Sequence, residues 1–322
     1  MSSASTTSVN TAREWLGRFA KLAKVAAPKP LSQVTGQFDP SRTLAFMHIP
    51  KTGGTSFAEA VVNAVQSRSV VRGFDMALLG DFVDVSSLDT NMQQYIYTSP
   101  HSVPDGQFIC GHFSLHTIRQ RYPGAQVVGL LREPFSRLLS FWLYWRGRPE
   151  EEIAAWRAWG DRMKQSYLPL TAFLNSRTVA CQTDNIVVRM LLWPHRLIPA
   201  ADFISPRHDK TLLAEAFVRL AHFSLLDVAE NPDLGARLGK WLEVPLLLER
   251  RNVTRPIPEL LRGSLAEELT PEAFDSMDAR SRLDLRLWHH VAQKSVQPRY
   301  LGDLQSRARL QNVARHARLM AT

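Results

Sequence analysis

The chain has 322 residues, of which 45% are hydrophobic and 21% are charged, and its formal net charge is +9. This composition supplies enough apolar material for one large core, and it excludes a disordered, collagen-like or coiled-coil protein. The net charge comes from the two ends, because residues 1–30 and 299–322 each carry five basic residues and one acidic residue, whereas residues 31–298 are close to neutral. A near-neutral body gives no indication of nucleic-acid binding.

The first predicted element is a basic amphipathic helix in a segment that spans residues 1–40 and ends in a Pro/Gly-containing linker. Trp15, Phe19 and Leu22 recur in it at helical spacing. Such a helix suits peripheral contact with an anionic membrane surface. Packing on its own domain or fraying in solvent is the alternative, and a transit peptide is a third interpretation. The basic segment 299–322 at the other end is expected to be a solvated tail.

Between residues 41 and 298, short apolar runs alternate with helical segments, which is typical of a parallel sheet with crossover helices. Strands are predicted over 43–49, 107–110, 125–131 and 223–228. Helices are predicted over 55–65, 113–121, 134–145, 151–166, 184–193, 209–220 and 232–242. The sequence therefore predicts an α/β fold, in which a P-loop-like parallel sheet is flanked by helices and the C-terminal half is mostly helical.

The cysteine content and the hydropathy pattern indicate the compartment. Cys110 and Cys181 are the only cysteines, which are too few for a disulfide framework or a cysteine zinc site. No apolar run reaches the ~18 residues that a membrane span needs, and no cleavable apolar leader follows the Ser-rich start. We therefore expect a cytoplasmic protein, with membrane association through the N-terminal helix as an open alternative.

The strongest local motif is FMHIPKTGGTSF at residues 46–57, where a strand ends in a turn that opens a helix. Two glycines let the backbone approach an anion, the N–H groups and the helix dipole favour negative charge, and a lysine and hydroxyls add donors. The lysine precedes the glycines, whereas in a Walker A loop it follows them. A tight connection with an exposed lysine is the structural alternative. The predicted anion-binding residues are Lys51, Thr52, Gly53, Gly54, Thr55 and Ser56.

The second motif is LLREPFSRLLSFW at residues 130–142, which begins in a buried strand and continues into a helix. Arg132 at the carboxyl end of the strand offers a planar fork that suits phosphate, and Ser140 lies two turns into the helix. Ligands of open α/β sheets gather at the carboxyl ends of the strands. An arginine that caps the sheet and an ordinary mid-helix serine are the structural alternatives.

Together, HIPKTGGTS and LLREPFSRLLSFW resemble the 5′-phosphosulfate and 3′-phosphate motifs of sulfotransferases that use 3′-phosphoadenosine 5′-phosphosulfate. The resemblance is to the carbohydrate branch, which contains heparan sulfate 2-O-sulfotransferase-like enzymes, and it covers residues 43–146 with thinner markers towards 256. It implies that the first motif holds the 5′-phosphosulfate, that Lys51 stabilises the leaving phosphate oxygen, and that Arg132 and Ser140 hold the 3′-phosphate.

Two further positions follow from the same resemblance. Arg251 and Thr254 lie in a stretch, RNVTRP, that related enzymes place over the nucleotide. They are therefore predicted to contact the cofactor, with an ordinary basic loop as the alternative. The resemblance also makes residues 41–298 a sulfotransferase domain. The transfer requires no metal ion when a lysine and a loop of N–H groups neutralise the leaving group.

Transfer of a sulfuryl group to an alcohol needs a base, and histidine has a suitable pKa. His112 follows a predicted strand near both motifs. Related 2-O-sulfotransferases carry a His-Gly-His motif here whose histidines are implicated in catalysis. His112 matches the second histidine, and Cys110 replaces the first. We predict that His112 is the base, and His101 and His116 are the alternative candidates. The structural alternative for His112 is a role as a loop or N-cap residue. We expect His48 to point beneath the turn.

The predicted function is therefore sulfuryl transfer to a carbohydrate or glycolipid acceptor. The Trp-rich stretches 142–146 and 156–159 are candidates for sugar-stacking faces, although aromatic side chains at helical spacing usually fill a core. Two other functions use the same motifs. One is a nucleotide-dependent kinase, which is disfavoured because the lysine precedes the glycines of the turn. The other is a non-catalytic protein that binds a nucleotide or an anionic glycan.

Overall fold

A computed structural model describes residues 37–67, 69–246, 248 and 255–321. Within them, six parallel strands form one sheet that is flanked by helices, which confirms the predicted α/β fold. The predicted N-terminal helix with Trp15 and Phe19, and the predicted nucleotide contacts Arg251 and Thr254, lie outside the described residues.

The order of the strands places β1 at the centre of the sheet, because the sheet runs β3-β2-β4-β1-β5-β6. The strands are β1 (Leu44–Met47), β2 (Val70–Asp75), β3 (Ile96–Tyr97), β4 (Phe108–His112), β5 (Gln126–Leu131) and β6 (Phe223–Val228). All four predicted strands are confirmed. The sequence did not predict β2, which Gly73 interrupts, or β3, which has two residues and no readable periodicity.

Helices of six or more residues cover both faces of the sheet and build most of the C-terminal half. They are α1 (Gly54–Val65), α2 (Leu115–Arg121), α3 (Pro134–Arg146), α4 (Glu150–Ala155), α5 (Arg157–Met163), α6 (Leu170–Asn175), α7 (Ile186–Leu192), α8 (Asp209–Leu220), α9 (Leu234–Leu242), α10 (Pro271–Ser295) and α11 (Leu304–Ala321). Four-residue helices are Thr90–Gln93, Ala180–Thr183, Leu265–Glu268 and Pro298–Leu301. No helix in the described ranges is long and apolar enough to cross a membrane.

The core lies on both faces of the sheet because side chains of the buried strands alternate between them. In β1, Leu44 and Phe46 pack with α1 and α9 on one face. Ala45 and Met47 pack with α2, α7, α8 and α10 on the other face. A third cluster surrounds α3 and joins it to α5, α6, α10 and α11. These layers bury β1 and α3. The predicted anion-binding turn follows β1, and α3 carries Ser140.

The helix predicted over 151–166 is wrong as a single element. It breaks at Arg157, whose φ is 48°, and forms α4 and α5. After the break, Gly160 lies so close to α4 that an added Cβ would stand 2.3 Å from the carbonyl oxygen of Ile153. The bend also directs Trp156 towards Phe74 on β2, where the two ring centroids are 5.8 Å apart.

The prediction of a solvated tail over 299–322 is wrong for most of that segment, because residues 304–321 form α11, which packs along α3. Its side chains at every fourth position are buried, and this stripe outweighs the basic character of the segment. The buried positions are Leu304, Ala308, Asn312, His316 and Met320.

Candidate active site

The carboxyl ends of β4, β1 and β5, which are neighbours in the sheet, open into one cavity of about 1600 Å³. Parallel strands bring their carboxyl ends to the same edge, so residues from distant parts of the chain meet there. Every predicted site residue that the structure describes lines this cavity. These residues are Lys51, Thr52, Gly53, Gly54, Thr55, Ser56, His112, Arg132 and Ser140.

The turn after β1 is shaped for close approach to a ligand. Gly53 has a left-handed backbone with φ 85° immediately before α1 begins, and glycine adopts this conformation without steric cost. At Gly54 an added Cβ would lie 2.0 Å from the ring of His48, so the ring fits under the turn as expected. Thr52 differs from the expectation of a ligand-binding hydroxyl. Its Oγ1 donates to the carbonyl of Ile49 at 2.9 Å and stabilises the turn itself.

Lys51 lies in a concentration of positive charge. Its Nζ is 3.7 Å from the centroid of the Tyr144 ring. Burial, followed by the nearby charges of Arg132, Arg148 and Arg315, lowers the pKa of Lys51 to about 7. These neighbouring cations repel one another and produce a positive electrostatic potential in the cavity. A bound anionic ligand would reduce this repulsion.

The helix α3 forms one wall of the cavity with a single face. Ser136, Ser140 and Tyr144 of α3, and Arg148 two residues beyond its end, follow one another at intervals of four residues, and all four line the cavity. This spacing places the three α3 residues on one side of the helix. Of the four, the sequence analysis identified only Ser140, although the four-residue spacing was readable. Arg132, just before the helix, donates from Nη1 to the carbonyl of Lys51 at 2.9 Å and so joins the two predicted motifs.

A buried carboxylate fixes the start of α3. The Glu133 carboxylate is fully buried and accepts from the Ser136 N–H at 2.8 Å and from Arg309 Nε at 2.8 Å. Burial alone would raise the pKa of Glu133, but Arg309 and Ser136 hold that pKa below its ordinary value. The Glu133 N–H donates to Glu230 at 2.9 Å. This network fixes the backbone directly after Arg132.

The geometry of His112 suits a base. Its Nδ1 lies 2.6 Å from the carbonyl oxygen of His48, which only accepts, so Nδ1 carries the proton and Nε2 keeps its lone pair. Burial, with a contribution from the charge of Lys51, lowers the pKa of His112 to about 4. The ring is therefore neutral at neutral pH. The two predicted alternatives, His101 and His116, lie outside the cavity wall.

Cys110 lies two residues before His112 on the same face of β4. The side chain is buried in the layer that contains Phe46, and burial raises the pKa of the thiol to about 11 despite the nearby charge of Arg72. The thiol is therefore protonated at neutral pH. Cys110 is a packing residue in this structure, and the second polar ring beside His112 comes from His48, whose ring centroid is 4.3 Å away.

Beyond His112 the cavity wall is aromatic. Phe74 is the register partner of His112 on the adjacent strand β2, and it packs against Trp156. Tyr144 also lines the cavity, whereas Trp142 is fully buried in the core. The predicted aromatic stretches are thus divided between core and cavity. Phe74 and Trp156 are half-buried cavity-lining rings near His112, and Phe74 was not predicted.

Comparison with known proteins does not assign this cavity to a family. Neither a family model nor a curated protein sequence matches the chain. In the described part of the chain, no group of three His, Cys, Asp or Glu side chains is placed to hold a metal ion. The function of the cavity is therefore inferred from its own residues.

Proposed function

We propose that the protein is a sulfotransferase that uses 3′-phosphoadenosine 5′-phosphosulfate and transfers the sulfuryl group to a hydroxyl of a carbohydrate or glycolipid. One observation carries the proposal: the turn 51–56, Arg132 with Ser140, and a neutral His112 line the same cavity. The donor has an anionic group at each end, and the acceptor needs a base. Three neighbouring strand ends supply a matching group for each of these requirements.

The residues present fit a doubly phosphorylated nucleotide. The turn 51–56 offers backbone N–H groups at the start of α1, and Lys51 and Arg132 add positive charge on either side of it. The Ser136 hydroxyl is buried in the same wall. When bound, the donor supplies an electrophilic sulfuryl group on a phosphate leaving group.

The chain's own residues have separate tasks in the proposed reaction. Lys51 neutralises charge that develops on the leaving oxygen, which is the position where electrostatic stabilisation has the largest effect. His112 accepts the proton of the acceptor hydroxyl at Nε2, while its Nδ1–H holds the ring on the carbonyl of His48. Phe74 and Trp156, beside His112, offer flat faces for the C–H side of a sugar ring.

The experiment that tests the proposal is calorimetric titration with 3′,5′-adenosine diphosphate, 5′-AMP and magnesium-ATP. Wild-type protein is expected to bind the bisphosphate most tightly. Arg132→Ala is expected to weaken that binding by about 10- to 100-fold, because it removes charged hydrogen bonds worth about 1.5–3 kcal/mol. Arg299→Ala, which removes an exposed arginine outside the cavity, is the matched control.

Each other result contradicts the proposal in a different way. Preference for magnesium-ATP, together with phosphoryl transfer, favours a kinase. Tight binding of the bisphosphate without turnover over a broad panel of carbohydrate acceptors favours a non-catalytic binding protein. Equal binding of the bisphosphate by wild type and Arg132→Ala removes the assigned 3′-phosphate pocket.

Lys51 is expected to make nucleotide binding depend on pH. Because its pKa in the free protein is about 7 and a bound anion raises that pKa, binding above pH 7 takes up a proton. The neighbouring ring of His112 is neutral in this range. Affinity should therefore fall by up to about tenfold per pH unit above pH 7.

The measurement is titration of 3′,5′-adenosine diphosphate between about pH 6 and about pH 8.5, in buffers with different ionisation heats. Lys51→Arg is the control, because a guanidinium stays charged over this range and the proton uptake should disappear. If the binding enthalpy of the wild type at the alkaline end is the same in all buffers, no proton is taken up. That result would show that the Lys51 ammonium does not contact the nucleotide.

A further inference from the structure

The cavity has two sides, because β4 and β1 lie between β2 and β5 in the sheet. On the side that follows β5, Arg132 lines the cavity together with Arg315 of α11, and both lower the pKa of Lys51. Positive charge is therefore concentrated there. The other side follows β2 and includes α4 and α5, and we call it the β2 side.

The β2 side is lined mainly by apolar side chains. Its half-buried rings are Phe74, the register partner of His112, and Trp156. The aromatic surface continues to Trp159, whose ring stands edge-on to that of Trp145 with their centroids 6.4 Å apart, and both rings line the cavity. The remaining large apolar lining residues of this side are Leu78, Leu79, Met92 and Met163.

The few charged residues of the β2 side are mostly acidic. Glu151, which is exposed, and Glu152 line the cavity from α4. Arg148 is the one cation among the described lining residues of this side, and it forms an ion pair with Glu152, as Arg255 also does. An anion on the β2 side therefore meets nothing comparable to the cations around Lys51.

The cavity has room for a second molecule beside the nucleotide. Its volume of about 1600 Å³ exceeds the roughly 300–1,000 Å³ of a typical single-ligand pocket. A bound nucleotide neutralises the cations with its own phosphates and adds negative charge. An anionic acceptor would then face both these phosphates and the carboxylate of Glu151, and like charges placed together strongly disfavour binding.

We propose that the acceptor is uncharged and that it carries an apolar aglycone, as a glycolipid or an alkyl glycoside does. This inference rests on the proposed function. The reacting hydroxyl lies at His112, the sugar ring on Phe74 and Trp156, and the aglycone extends along the β2 side towards Trp159. Burial of the aglycone against these apolar side chains supplies the affinity. The charges of this side exclude an anionic polysaccharide.

The test uses three glycosides that separate apolar surface from charge. Octyl β-glucoside, methyl β-glucoside and octyl β-glucuronide are each titrated, below any micelle-forming concentration, into protein saturated with 3′,5′-adenosine diphosphate. Octyl β-glucoside is expected to bind at least about tenfold more tightly than methyl β-glucoside, which lacks the apolar chain. It should also bind about tenfold more tightly than octyl β-glucuronide, which adds a carboxylate.

Two variants locate these effects on the β2 side. Trp156→Ala is expected to weaken binding of octyl β-glucoside by about tenfold and to leave the affinity for 3′,5′-adenosine diphosphate unchanged. Trp241→Ala is the matched control, because Trp241 is also half-buried but packs on Phe38 outside the cavity wall.

Glu151→Lys tests the charge at an exposed position. It should raise the affinity for octyl β-glucuronide about tenfold relative to that for octyl β-glucoside. Glu150→Lys is the matched control, because Glu150 is exposed on the same helix but does not line the cavity, and it should leave this ratio unchanged.

Each contrary result overturns the inference. Equal binding of the octyl and methyl glucosides by wild type, or binding of neither, would show that the β2 side holds no aglycone. Tighter binding of the glucuronide would show that the acceptor is anionic. Equal losses in Trp156→Ala and Trp241→Ala would place the octyl chain elsewhere. Failure of the proposed function is visible separately, because wild type would then show no preference for the bisphosphate over 5′-AMP before any glycoside is added.

Discussion

The substitution His112→Asn is expected to reduce sulfuryl transfer by about 10²- to 10⁴-fold, which is the usual contribution of a positioned general base. Binding of 3′,5′-adenosine diphosphate should stay at the wild-type level. The asparagine amide can still donate to the carbonyl of His48, as Nδ1 of His112 does at 2.6 Å. The substitution therefore removes Nε2, the atom that accepts the proton, and preserves the contact that holds the side chain.

The pH profile of kcat/KM provides a second readout of the same residue. With a pKa of about 4, His112 is unprotonated over most of the accessible range, so activity should decline only as the pH approaches that value. Lys51 should produce the decline on the alkaline side, near its pKa of about 7. Free-enzyme pKa values govern this profile. The residual activity of His112→Asn should lack the acidic decline.

His116→Asn is the matched control, because His116 lies on α2 outside the cavity wall. Turnover and nucleotide binding should both be unchanged in this variant. If His112→Asn retains full turnover, His112 is not the base. Loss of nucleotide binding in the same variant would instead indicate that the ring is needed to shape the turn.

The sequence predicted those parts of the site that are encoded in contiguous stretches of chain. The turn after β1 and the start of α3 are each a strand end followed by a helix, and such local geometry follows from glycine, proline and apolar periodicity. The carboxyl ends of β4, β1 and β5 could be predicted to lie together because parallel strands end at the same edge of a sheet. These two rules were sufficient to place Lys51, His112 and Arg132 around one cavity.

The parts that were not predicted depend on contacts between distant segments. Phe74 belongs to β2, a strand with an irregular burial pattern that sequence periodicity does not reveal. The segment that forms α11 was predicted to be solvated because residues 299–322 carry five basic residues, although a buried side chain recurs in the helix at every fourth position. An arginine can occupy a buried position of such a helix when it pairs with a buried carboxylate. The partner of Arg309 is Glu133, which is distant in sequence.

The buried pair between Glu133 and Arg309 should be the most sensitive point of this arrangement. Arg309→Met is expected to lower the free energy of unfolding by about 3–5 kcal/mol, because it leaves the fully buried carboxylate without its positively charged partner. Arg307→Met is the matched control on the same helix. Arg307 pairs with the exposed Asp303 at 3.5 Å, and an ion pair of that kind contributes about 0–1 kcal/mol.

The pH dependence identifies the cause of the loss. In wild type the pKa of Glu133 lies below its ordinary value, so the pair stabilises the fold above the unfolded-state pKa and this stabilisation is lost as the pH falls through the folded-state pKa. In Arg309→Met, burial raises the pKa of Glu133, and protonation relieves the penalty. The difference in stability between wild type and Arg309→Met should therefore shrink as the pH is lowered, which urea unfolding at several pH values measures.

Adding Glu133→Gln to Arg309→Met should recover much of the lost stability. The amide oxygen of glutamine can still accept from the Ser136 N–H, and no buried charge remains. Nucleotide binding should recover with it, because residue 133 caps the start of α3 directly after Arg132. If Arg309→Met costs no more than Arg307→Met, the pair does not fix α11 to α3. If the double variant regains stability without regaining affinity for 3′,5′-adenosine diphosphate, the charge of Glu133 or Arg309 contributes to the pocket directly.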